Sequence, residues 1–99
     1  MIKHIIIWQL KPELEGETRA ERAKAIKAGL EGLKGKIEGL LDISVETELL
    51  GSSNGDLLLD STFESEEALK AYQVHPEHLK VAELVKSSVC SRSCADFEA

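Results

Sequence analysis

The chain has 99 residues, 42% of them apolar, with twelve Lys and Arg against eighteen Asp and Glu for a net charge of −6. This length fits one domain, residues 1–99, with a modest core. The acidic balance repels nucleic-acid phosphates and anionic lipid, and no apolar run approaches the ~20 residues of a membrane span.

Ile2 to Leu10 reads as a strand, since so dense a β-branched run suits a pleat better than a helix. One face carries His4, Ile6, Trp8 and Leu10, the other Ile5, Ile7 and Gln9, so apolar residues ask for cover on both sides. The apolar part of this segment is too short for a signal peptide and lacks a small-residue cleavage site, so a cytoplasmic location is expected. Lys11-Pro12 ends the strand. A helix is predicted from Thr18, with Thr18 and Glu21 as a capping box and Ala23, Ile26, Leu30, Leu33 and Ile37 as its apolar stripe. Gly29, Gly32 and Gly35 interrupt it, which implies either a very close packing partner or fraying, with Gly35 as the stop.

Leu41 to Leu50 alternates as a second strand, Gly51 to Gly55 has the composition of a hairpin loop, and Asp56 to Phe63 is a third strand. In the third, Leu57, Leu59, Ser61 and Phe63 share one face. Ser65, followed by Glu66 and Glu67, caps a helix running to about Gln73. Pro76 then opens a second helical segment, with His75 as its cap residue. Ser88 to Glu98 is the last strand. Cys90 and Cys94 lie about 13 Å apart along it, too far to bridge, and read as buried free thiols.

The order strand, helix, strand, strand, broken helix, strand is the α+β, ferredoxin-like βαββαβ arrangement: a four-stranded antiparallel sheet with helices on one face. Helices cover one face only, so the doubly apolar first strand predicts a homodimer through the other sheet face.

The stretch from Ala71 to His78 holds the lone tyrosine and two of the three histidines around a proline. His78, in the first turn of its helix, is held toward the neutral ring, a suitable general base, and Tyr72 could polarise a carbonyl. The alternative role for His78 is to bond a neighbouring carbonyl and fix the kink. His4 reads as an interior histidine and Trp8 as core or pocket wall. Arg92 and Asp96, four apart on one strand face, read as a structural pair with each other or across a dimer. A metal set of His4, His75, His78 and Glu77 is conceivable, but a capping His75 would point away from it. No metal and no cofactor are expected.

Lys3-His4 before an apolar strand, Phe63-Glu64-Ser65, the Tyr72-x-x-His75-Pro76-x-His78 run, Ser91-Arg92 and the closing Asp96-Phe97-Glu98 together resemble the stress-responsive dimeric α/β-barrel (Dabb) family over essentially the whole chain. The resemblance implies a dimer whose two sheets enclose a barrel-like interior. In one plant branch of that family, typified by olivetolic acid cyclase, the working residues of a polyketide ring closure match His4, Tyr72 and His78. A further tyrosine of its first helix has no counterpart among Ala23, Ile26, Lys27 and Leu30. The expected function is binding of a small aromatic or polyketide-like molecule, with His78 and Tyr72 as catalytic residues and His4, Ile6 and Trp8 as substrate-binding residues. The alternative is a non-catalytic, stress-linked assembly protein.

Overall fold

The computed structural model describes all 99 residues. Its elements are β1 (Ile2–Leu10), α1 (Gly16–Glu31), β2 (Leu40–Glu46), β3 (Leu57–Phe63), α2 (Glu66–Gln73), α3 (Pro76–Ser88) and β4 (Val89–Glu98). The four strands form one antiparallel sheet in the order β2-β3-β1-β4, which is the ferredoxin-like fold. No helix is long and apolar enough to cross a membrane.

β1 lies between β3 and β4, and its two faces have different fates. Ile2, His4, Ile6, Trp8 and Leu10 are buried beneath the helices, while Lys3, Ile5 and Ile7 are half-buried on the opposite face. Leu57, Leu59, Ser61 and Phe63 of β3 continue the helix-side face as expected, and all four are buried. Leu57, Leu59 and Phe63 join Ile26 and Leu30 of α1 and Leu69 and Tyr72 of α2 in one apolar cluster. Each such side chain fully removed from water contributes about 1.5–3 kcal/mol.

The first helix departs from its expected ends. It begins at Gly16, with Glu15 as N-cap and no side-chain cap bond, so Thr18 lies inside the first turn and no Thr18–Glu21 capping box forms. Arg19 fixes this start instead: its guanidinium donates to the Lys11 and Leu14 carbonyls and pairs with Asp56 at 3.0 Å. The helix ends at Glu31, capped by Gly32 rather than Gly35, yet Leu33 and Ile37 remain buried in the turn that follows. Gly29 explains the close packing: a Cβ there would stand 3.1 Å from Cγ1 of Val81, where α1 crosses α3.

β2 stops four residues short of the expected Leu50. Beyond the Glu46–Leu58 pair its partner strand runs out, because Asp56 is committed to β1. The Asp56 amide donates to the Trp8 carbonyl at 2.8 Å, and the Asp56 carboxylate accepts from the Leu10 amide at 2.9 Å. β2 is also an outer strand, and α1 occupies part of its free edge. Glu31 accepts from the Val45 amide at 2.9 Å and Lys27 donates to the Val45 carbonyl at 2.6 Å. The Val45 amide, and then Lys27, hold the Glu31 carboxyl below its ordinary pKa.

β4 is the other outer strand. No helix covers it, and every residue after Val89 is exposed. Cys90 and Cys94 are therefore exposed free thiols, not the buried ones expected. An apolar-looking alternation of small residues did not reveal that the strand sits at the sheet edge.

Candidate functional site

The break between α2 and α3 forms as its residue types dictate. Ser65 caps α2 by accepting from the Ala68 amide at 3.1 Å. His75 is held extended before Pro76, at the first position of α3, and its Nδ1 accepts from the Glu77 amide at 3.1 Å. His75 is thus a structural cap. The kink leaves Tyr72, at the end of α2, stacked at an angle on His78, with ring centroids 4.3 Å apart. Phe63 packs against Tyr72 with ring centroids 4.9 Å apart, and the His4 ring is 6.3 Å away.

The His4, Tyr72 and His78 rings line a cavity of about 190 Å³ between the sheet and the helices. Ile6, Trp8, Leu30, Leu59 and Val85 form its apolar walls. Of the five residues singled out in the sequence, His4, Ile6, Trp8, Tyr72 and His78 all line this one cavity. Such a space is about the size of one that accepts a single aromatic ring.

The polar groups there are poised by burial. Tyr72 is 1% exposed, and its hydroxyl has no hydrogen-bond partner in the chain. Burial pushes its pKa up to about 12, so it stays a neutral O–H donor at ordinary pH. His78 Nδ1 is also buried and unpartnered. Burial lowers the His78 pKa, and the nearby His4, His75 and Lys86 act in the same direction against an opposing interaction with the Gln73 backbone. Burial thus favours the neutral ring, the same direction the helix dipole was expected to act in.

His4 has a partner that the sequence did not reveal. Its Nδ1 hydrogen-bonds the Asp96 carboxylate, directly across the β1–β4 ladder. With Nδ1–H donated to Asp96, the proton-accepting lone pair lies at Nε2. Ser61 fixes the same residue from behind, its hydroxyl donating to the His4 carbonyl at 2.7 Å. Asp96 is therefore not the partner of Arg92, and Arg92, opposite Trp8, makes no ion pair within the chain. The missed signal was the ladder register, which relates residues 92 apart and is set by tertiary pairing.

The residues that could hold a metal ion are also different from the set considered in the sequence. The Nδ1 of His75 is occupied by the Glu77 amide. His4, Cys94 and Asp96 instead bring their ligand atoms within 4.8 Å of one another. Cys94 would have to lose its proton to join such a set. Its thiol sits above its ordinary pKa, through partial desolvation first and the Asp96 carboxylate next.

Comparison with known families places this architecture. The model of the Stress Responsive A/B Barrel Domain (Dabb) matches residues 2–99. The chain belongs to that family. Among solved structures, a dimeric protein of unknown function with a ferredoxin-like fold from Bacteroides fragilis is 26% identical, with a TM-score of 0.92, covering 99% of this chain and 95% of its own. A dimeric ferredoxin-like protein of unknown function from Jannaschia sp. CCS1 is 23% identical, with a TM-score of 0.80 and coverage of 99% and 98%. A hydroxynitrile lyase from Passiflora edulis shares the fold at 15% identity, with a TM-score of 0.74 and coverage of 97% and 90%. No curated protein sequence matches the chain. In this Dabb protein the helix side of the sheet carries the cavity, and the opposite side carries Ile5, Ile7 and Leu58 half-buried, with Phe97 half exposed.

Proposed function

We propose that residues 1–99 form one Dabb domain that works as a cytoplasmic homodimer and binds a small aromatic or polyketide-like molecule in the cavity bounded by His4, Tyr72 and His78. The carrying observation is the unpartnered Tyr72 hydroxyl beside the unpartnered His78 ring nitrogen, both against an apolar cavity. Buried polar atoms are normally paired, and a ligand oxygen is the partner this arrangement lacks. The exposed apolar side of the sheet supports the homodimer, as do the dimeric proteins of the same fold.

The same groups suit cofactor-independent acid/base chemistry of the cyclase or lyase type. Neutral His78 takes a proton from a carbon next to a substrate carbonyl. Tyr72 donates its hydrogen bond to that carbonyl oxygen as negative charge develops there. The resulting enolate carbon attacks a second carbonyl of the same molecule. The bond that forms is carbon–carbon, and the proton held on His78 passes to the new alkoxide oxygen. His4, fixed by Asp96 through Nδ1, presents Nε2 as a further site for a substrate hydroxyl. His78 and Tyr72 are the catalytic residues in this reading, and His4, Ile6 and Trp8 the substrate-binding ones.

The test is a thermal-shift and NMR titration of the wild-type chain and His78→Ala with small aromatic ketones and hydroxyketones. The expected result is stabilisation of the wild type, weakened in His78→Ala, with shifts confined to residues around the cavity. Absence of stabilisation by every compound, or equal stabilisation of both proteins, would overturn a site centred on His78. In that event the non-catalytic assembly reading, favoured by the exposed sheet face, takes its place.

A further inference from the structure

The charged residues lining the cavity are all of one sign. Lys86 and Arg92 line it, and no Asp or Glu does, in a chain whose acidic residues outnumber its basic ones by six. Neither cation makes an ion pair within the chain, a state they share with Lys11, Arg22, Lys24, Lys36 and Lys70, and Arg92 stands close enough to Cys94 to favour its thiolate.

They also stand together at one end. Along α3 the cavity-lining residues His78, Ala82, Val85 and Lys86 follow a single stripe, so Lys86 lies eight residues, about 12 Å, beyond His78. Along β4, Arg92 pairs with Trp8 whereas Asp96 pairs with His4, a separation of four residues or about 13 Å. Both elements thus root a cation away from the His4, Tyr72 and His78 cluster, in the same sense, while the long side chains lean back far enough for Lys86 to act on His78 and Arg92 on Cys94. The cavity is a slot with hydrogen-bonding groups at one end, apolar walls, and positive charge at the other.

We infer that this slot takes an organic acid in one orientation, its carboxylate at Lys86 and Arg92 and a carbonyl against Tyr72 and His78. This rests on the pocket reading above and adds the ligand's charge and polarity to it. Long flexible side chains at both cations shorten the span they must cover, so the two polar groups of the ligand sit on opposite ends of one ring. A second ring would exceed the space of about 190 Å³. The lysine supplies a mobile point charge and the arginine a planar fork matched to the two carboxylate oxygens.

The test uses three matched probes: 4-acetylbenzoate, its neutral isostere 4-acetylbenzamide, and 4-ethylbenzoate, which lacks the ketone. Binding is measured by NMR titration to the wild-type protein, to the double variant Lys86→Gln/Arg92→Gln, and to Tyr72→Phe. Both substituted cations are exposed, so the fold tolerates the change. The acid is expected to bind the wild type about tenfold more tightly than the amide, as for a charge-assisted contact, and to lose that advantage at high salt. The double variant is expected to bind acid and amide equally while keeping the amide affinity unchanged. Tyr72→Phe is expected to lose the preference for 4-acetylbenzoate over 4-ethylbenzoate but keep the preference for acid over amide. Equal binding of acid and amide by the wild type would overturn the carboxylate assignment while leaving the pocket standing. Failure of all three probes to bind would overturn both.

Discussion

Replacing Tyr72 by Phe should make the free protein more stable while weakening its ligand binding. The ring stays, so its packing at 4.9 Å from Phe63 and 4.3 Å from His78 is retained and no cavity forms around it. What goes is a hydroxyl that is buried and unpaired. A buried polar group without a partner costs about 1–3 kcal/mol, and its removal should return most of that. For a chain of this size each 1 kcal/mol raises Tm by roughly 4–8 °C. Urea unfolding followed by circular dichroism, at equal protein concentrations because a dimer's stability depends on concentration, reads the difference directly. A Tyr72→Phe protein clearly less stable than wild type would show that the hydroxyl already has a partner in the free protein, such as an ordered water. The case for a vacant hydrogen-bonding position would then fail.

His78 gives a prediction in pH. Its folded pKa lies below the ordinary 6.5, so the unfolded chain takes up the proton first. Stability should therefore fall as the pH drops through about 6.5 and level off below the folded value, and His78→Gln should flatten that decline in urea titrations between pH 7 and 5. If both proteins decline alike, His78 is not the group responsible. Two glycines separate backbone strain from crowding. Gly35 and Gly39 have φ of +87° and +85°, but a Cβ at Gly35 meets open space while one at Gly39 comes 2.5 Å from the Ala68 Cβ. Gly39→Ala should cost about 1–3 kcal/mol more than Gly35→Ala by the same unfolding measurement, and equal losses would show that the Ala68 contact yields freely. Ile7→Glu places a charge on the half-buried outer sheet face and should convert a dimer to monomers by light scattering. An unchanged mass would move the interface elsewhere.

Much of the frame was legible because it rests on local chemistry. The two apolar faces of Ile2–Leu10, the single face of Leu57 to Phe63 and the cap formed by His75 before Pro76 all follow from residue type and spacing. What eluded the sequence depends on which strands become neighbours. The bond from His4 to Asp96 exists only once β1 and β4 pair in register. The exposure of Cys90 and Cys94 follows from β4 lying at the edge, and the early end of β2 from Asp56 serving β1. The start of α1 was misread because Thr18 and Glu21 have the form of a capping box, while the tie that positions the turn comes from Arg19. Lys86, unremarkable among twelve basic residues, and Arg92, which the sequence offered only as a structural partner of Asp96, became informative when they appeared along one cavity.

The hold that Lys27 and Glu31 keep on Val45 also limits how copies of the chain can join strand to strand. A growing fibre needs two adhesive edges on every unit. Here α1 ties up the Val45 amide and carbonyl on one edge, and the edge along β4 is left uncovered. A sheet with one edge obstructed pairs most freely through the other: antiparallel pairing of β4 with β4 would join two sheets edge to edge and leave only their obstructed β2 edges at the ends of that sheet. Loss of the Lys27–Glu31 clasp would free the Val45 groups and open the second edge of the sheet to strand pairing as well.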